Sequence, residues 1–115
     1  MKRGDVYVAT LAPRSGSEQR GTRPVIVVSH DAFNETPGWR SVIVVPVSTS
    51  VAQAGRGPTA VSLPRGAGGL ASHSVALCHQ VTTLDRGKLT KRIGSLPEVL
   101  LAAVGEGLRI AQDLV

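Results

Sequence analysis

Residues 16 to 29 read GSEQRGTRPVIVVS and carry the densest set of reactive side chains in the chain. Glu18, Arg20, Thr22 and Arg23 fall within six residues, immediately before the apolar run Val25 to Val28. An arginine presents a planar fork of donors that matches phosphate oxygens. A carboxylate beside it supplies a group that accepts protons. A polar loop anchored on a core strand is therefore a phosphate-handling site in outline. The plainer reading of Arg23 is a stem lying over apolar surface with its head in water. The plainer reading of Glu18 is a solvated surface carboxylate.

Other groups invite chemistry more weakly. Ser48 and Thr49 end a second apolar run, on a different element, where hydroxyls commonly satisfy strand-end backbone groups. There they could also bond a phosphate oxygen opposite Arg23. Gln80 beside His79 is either a buried amide or a contact to a base edge. His30, His73 and His79 titrate near neutral pH, but no spacing joins them, and no metal site is expected. Arg86, Lys88, Lys91 and Arg92 form a second basic cluster, a solvated rim by default and an RNA backbone track as the alternative. The glycine-rich PRGAGG at residues 64–69 lacks the GK[ST] ending of a P-loop.

The elements that must position these groups follow from pattern. Asp5–Leu11 alternates and predicts a strand, with Val6 and Val8 on one face and Tyr7, Ala9 and Leu11 on the other. Pro13 ends it, and residues 14–22 form the polar loop. Val25–Ser29 is continuously apolar and predicts a strand buried on both faces. Asp31 is the expected cap of a short helical turn. Val42–Val47 predicts a third strand, with Pro46 marking an edge or an end. Residues 51–58 read as a flexible excursion. Thr59–Leu63 and Ser72–Val81 predict the fourth and fifth strands, Leu84–Leu89 a helical turn, and Lys91–Ile93 a short sixth strand.

The tail predicts the one long helix. Ser95-Leu96-Pro97-Glu98 has capping-box spacing, and Leu100, Val104, Leu108, Ala111 and Val115 fall on one face. Gly105 and Gly107 weaken its middle but permit close packing on a sheet. Strands first and a helix last give a mainly β fold with α: a small antiparallel sheet or barrel with a C-terminal helix.

At 115 residues the chain is expected to be one domain, residues 1–115. Its net charge is +5 and its pI about 10.4, with ten of thirteen cations arginine, which suits a polyanionic partner. Tyr7, Phe33 and Trp39 are its only aromatic residues, too few for a stacking platform that reads single strands by several rings. A single cysteine, Cys78, excludes an internal disulfide. With no run of apolar length sufficient for a membrane span and no signal-like start, the expectation is a soluble cytoplasmic protein.

Four blocks stand in register with a known family. RGDVYVA, GSEQRGTRPVIVVSHDAFN, VIVVPVS and HQVTTLDRGKLTKRIGSLP resemble the MazF/PemK (Kid) toxin endoribonucleases of type II toxin–antitoxin modules, over nearly the whole chain. The resemblance implies an SH3-like β-barrel of the kind shared with the CcdB gyrase poisons, and a homodimer with RNA in a groove. It implies metal-free, cofactor-free cleavage of single-stranded RNA at a short sequence by 2′-hydroxyl attack. It implies a cognate MazE-like antitoxin whose acidic C-terminal segment fills the groove.

By position the family's catalytic arginine falls on Arg23, its partner hydroxyl on Ser48 and its loop carboxylate on Glu18. The family usually has Thr where this chain has Ser48; Thr49 is the alternative hydroxyl. Arg14, Ser17, Gln19, Arg20, Thr22, Thr49, His79 and Gln80 are the implied RNA contacts. Two other functions use related chemistry or the same fold: a gyrase-inhibiting docking toxin, and a non-catalytic RNA-binding homologue.

Overall fold

In the computed structural model, residues 1–11, 21–49 and 57–114 are described. Seven strands and two helices follow in the order β1 (Asp5–Leu11), β2 (Gly21–Val27), α1 (Asp31–Asn34), β3 (Ser41–Ser48), β4 (Ala60–Leu63), β5 (Ser74–Leu77), β6 (Thr82–Asp85), β7 (Leu89–Ser95) and α2 (Glu98–Ala111). All pairings are antiparallel. The path is β4-β5-β3-β2-β1-β7, with β6 branching from β3, so the mainly β architecture with a C-terminal helix stands while the sheet remains open.

Two apolar clusters occupy the two faces. Val6, Ile26, Val45, Val47, Leu63 and Ala76 lie on the face that α2 covers through Val104 and Leu108. Ala9, Leu11, Val25, Val27, Val42, Val44 and Leu84 form the second. Alternate residues of one strand therefore enter different cores, which is why Val25, Ile26 and Val27 are all fully buried. The alternation expected for β1 holds, with Val6 in the first cluster and Ala9 and Leu11 in the second.

Several boundaries differ from pattern. β2 begins at Gly21, not Val25, because its polar first half pairs with β1: Leu11 with Gly21, Thr10 with Thr22, Ala9 with Arg23. Pro46 is not at a sheet edge. It pairs with Val25, and on its other side β6 takes residues 41–44 and β5 takes Val47 and Ser48. The missing N–H thus falls in the gap between two partner strands, where no ladder bond is required. The fifth strand is shorter than Ser72–Val81, since a 3₁₀ turn at Cys78–Gln80 breaks it. This leaves His73 before the strand and His79 after it. The helical turn expected at Leu84–Leu89 is strand β6 followed by a 3₁₀ turn at Arg86–Lys88.

Caps differ as well. His30, not Asp31, caps α1: its Nδ1 accepts from the Ala32 N–H at 2.9 Å. Asp31 instead takes the Arg3 N–H at 2.6 Å, tying the N-terminus down. That bond, followed by one from Asn34, holds its carboxyl below the usual range. Helix α2 starts after Pro97 with no side-chain cap, so the capping box does not form. Among the described residues, no helix is long and apolar enough to cross a membrane.

Gly107 is where the helix meets the sheet. A Cβ there would lie 2.7 Å from Cys78 Sγ and 3.2 Å from Val61 Cγ2, whereas one at Gly105 would find only an Arg3 guanidinium nitrogen at 3.7 Å. Gly107→Ala is expected to destabilise the protein by about 1–3 kcal/mol through overpacking. Gly105→Ala should stabilise it by about 0.5–1 kcal/mol through helix propensity. Urea midpoints for the two variants check this; a gain from both would mean that Gly107 is not a packing requirement.

Candidate active site

The site is built by a ladder that stops. On β2, the Val28 N–H donates to the Ile43 carbonyl of β3 at 2.9 Å. Backbone direction alternates along a strand, so Ile26 and Pro24 present their nitrogens to the same neighbour. Proline has no N–H. The β2–β3 pairing accordingly ends at Val25–Pro46. The next residues of this register, two steps beyond, are Arg23 on β2 and Ser48 on β3. Each is held from its outer side, Arg23 by Ala9 of β1 and Ser48 by Val75 of β5. The two side chains therefore flank the point where the central strands part, on the sheet face opposite α2.

Their environments differ. Ser48 is only 5% exposed, while Arg23 is exposed. A hydroxyl and a guanidinium are both groups able to donate to a phosphate oxygen. Thr22 and Thr49 are the exposed neighbours of the pair. Thr49 is the first residue after β3, which ends at Ser48. Arg14, Ser17, Glu18, Gln19 and Arg20 lie outside the described residues.

His79 and Gln80 are not brought into this row. They sit on the 3₁₀ turn after β5, His79 exposed and Gln80 half-buried, with His79 Nδ1 3.4 Å from Thr59 Oγ1. Among the described residues no group of three His, Cys, Asp or Glu is placed to hold a metal ion. Cys78 is buried, its Sγ 3.6 Å from the Val104 carbonyl oxygen, and burial pushes its thiol up to about 11.

Two of the four cations of the second basic cluster are committed to structure. Arg86 donates from Nε to the Trp39 carbonyl at 3.0 Å and from a terminal nitrogen to the Asn34 carbonyl at 2.9 Å. Arg92 meets the buried Asp5 at 3.4 Å. Arg40, which the pattern did not single out, pairs with Asp85 at 3.0 Å. Its hydrogen bond, with one from the Gly87 N–H, holds the Asp85 carboxyl below the usual range. Ser62 and His73 were also missed as a pair: Ser62 Oγ lies 2.9 Å from His73 Nε2, both exposed. Eleven residues separate them, and only the β4–β5 register reveals the contact.

The sequence pattern of the PemK-like, MazF-like toxins of type II toxin–antitoxin systems matches residues 2–111. The chain belongs to this family. It is 36% identical over 115 residues to Endoribonuclease EndoA of Bacillus subtilis, covering 100% of this chain and 97% of that protein. It is 32% identical over 114 residues to Endoribonuclease MazF of Staphylococcus saprophyticus, covering 99% and 92%. The fold superposes on the crystal structure of MazF from Deinococcus radiodurans with a TM-score of 0.79 at 27% identity, covering 98% of this chain and 96% of that one. A MazE–MazF complex from the same organism gives a TM-score of 0.75 at 27% identity, covering 100% and 97%.

In this MazF-type toxin the roles of the cations are separable. Arg86→Ala is expected to cost about 1–3 kcal/mol of stability by stripping charged donors from two carbonyls. Lys88→Ala should stay within about 0.5 kcal/mol of the parent. Chemical denaturation of both variants decides it, and equal stabilities would return Arg86 to the solvated rim.

Proposed function

We propose that this toxin is a sequence-specific endoribonuclease that cuts single-stranded RNA without a metal, using Arg23 and Ser48 on the scissile phosphate. The reading rests on one observation above others: the register of β2 and β3 carries Arg23 and Ser48 to the two sides of the parting strands. The chain also spans the curated relatives named endoribonucleases almost from end to end.

The chemistry follows from the groups. The ribose 2′-oxygen attacks the adjacent phosphorus, forming a 2′-O–P bond as the P–O5′ bond breaks. The products are a 2′,3′-cyclic phosphate and a free 5′-hydroxyl. Negative charge grows on the non-bridging oxygens during this step. A fixed guanidinium and a hydroxyl donor stabilise it most where it develops. Arginine stays protonated at neutral pH and is a poor base. Glu18 is the candidate base for the 2′-proton, with the substrate itself or another group as the alternative acceptor. The 5′-oxygen leaves with a proton from water or from Arg23, which water then reprotonates. DNA has no 2′-hydroxyl and is not a substrate by this route.

The remaining assignments rest on the family resemblance, with His79 and Gln80 apart from the Arg23–Ser48 row on the turn after β5. Arg14, Ser17, Gln19, Arg20, Thr22, Thr49, His79 and Gln80 are proposed RNA contacts. The toxin acts as a homodimer in the cytoplasm. A cognate antitoxin occupies the basic groove with an acidic C-terminal segment, in keeping with the solved MazE–MazF complex that this fold resembles.

Ser48 lacks the β-branching that stiffens threonine at χ1. Ser48→Thr should therefore retain cleavage, whereas Arg23→Ala and Ser48→Ala should each lower kcat by about 10²–10³-fold. The assay is cleavage of a long single-stranded RNA in EDTA, with the ends mapped. Cuts at one short motif bearing 5′-hydroxyl ends are expected. Cleavage that needs added metal, or that survives Arg23→Ala, would refute the mechanism.

A further inference from the structure

Ser62 of the exposed Ser62–His73 pair lies in the same row of the sheet as the proposed site, with His73 just before β5, two residues from Val75. Ser48 of β3 pairs with Val75 of β5, and Val75 pairs with Ser62 of β4. Residues directly opposite in an antiparallel ladder point to one face. Their neighbours Val47, Ala76, Val61 and Leu63 all pack on the cluster under α2. Ser48, Val75 and Ser62 therefore face the other way, the way Arg23 faces. Two strand spacings of about 4.8 Å put Ser62 about 10 Å from Ser48. That is too far for both to bond one phosphate, since each bond needs about 3 Å.

The pair always has a donor to spare. Ser62 Oγ and His73 Nε2 are 2.9 Å apart and share one proton between them. If Nε2 carries it, the serine O–H is left to donate outward. If the serine donates to Nε2, the proton on Nδ1 is left instead. Either tautomer leaves one N–H or O–H for an external acceptor. Arg65 follows three residues after Ser62 and is exposed, adding a cation at the same end of the strand. An acceptor-rich anion is the matching ligand.

We propose that Ser62 and His73 form an accessory subsite for a non-scissile phosphate of the RNA, positioning the strand that Arg23 and Ser48 cut. The inference rests on the endoribonuclease reading above. Neither residue touches the reacting atoms, so their loss acts on KM rather than kcat. The simpler role, a bond that only fastens the end of β5 to β4, would alter stability and leave KM alone.

The test uses RNA that is 2′-O-methylated everywhere except at the nucleotide being cut, with one linkage at a time replaced by a neutral methylphosphonate. In the parent toxin, one replacement outside the scissile linkage should raise KM. In Ser62→Ala and His73→Ala, KM for unmodified RNA should rise about tenfold, as expected for losing a bond to a charged oxygen, with kcat unchanged. Sensitivity to that one replacement should vanish in both variants, and KM for RNAs too short to include that linkage should match the parent. An unchanged KM in both variants, a lost sensitivity to base identity rather than to linkage charge, or weakened binding of an acidic peptide without a change in KM would overturn the subsite alone. Parent toxin that cuts no RNA would overturn the endoribonuclease reading along with it.

Discussion

The absent N–H of Pro24 is the constraint from which the site follows. Having no N–H to give β3, Pro24 coincides with the end of the β2–β3 pairing at Val25–Pro46, and Arg23 and Ser48 are the next residues of that register on the same face. The strand itself cannot fray in response, because Val25, Ile26 and Val27 are fully buried between two cores and β1 pairs the segment through Gly21. The paired strands below and the outer partners Ala9 and Val75 fix the backbone positions of Arg23 and Ser48. Pro46 makes the complementary concession on β3, placing its own missing donor between β6 and β5.

Much of this was legible in the sequence, and the reason is periodicity. The double burial of Val25–Val27, the alternation of Asp5–Leu11 and the inward Val104 and Leu108 of the last helix each depend only on local residue order. Ala111 of the expected helix stripe, by contrast, is exposed, and Val115 lies outside the described residues. What failed was local signal overridden by pairing. The polar segment Gly21–Pro24 reads as loop, yet β1 recruits it as strand. Thr82–Asp85 carries no strong pattern and becomes β6 because the first half of β3 offers it an edge. Ser95 has capping spacing, but it is the last residue of β7, paired with Asp5, and the helix begins only after Pro97, so Ser95 does not stand at its cap position.

The site was legible for a different reason. Arg23 and Ser48 were singled out by residue type and by family resemblance, while their mutual placement needed the register. The pairing of Ser62 with His73 had no sequence signal at all, because one lies on β4 and the other before β5. The arginines divide on similar grounds. Arg86, Arg92 and Arg40 are bound to carbonyls or carboxylates of the scaffold, so a cluster that looks like a binding track by composition is partly a set of struts. Net charge alone does not distinguish these uses.

The central claim is that Arg23 and Ser48 act as one unit on one phosphate. A double-mutant cycle in kcat/KM, measured with Arg23→Ala, Ser48→Ala and the double variant under single-turnover conditions, tests it most directly. A double variant no slower than the worse single one is the predicted result. Effects that multiply fully would mean that the two side chains act independently, and would contradict the account.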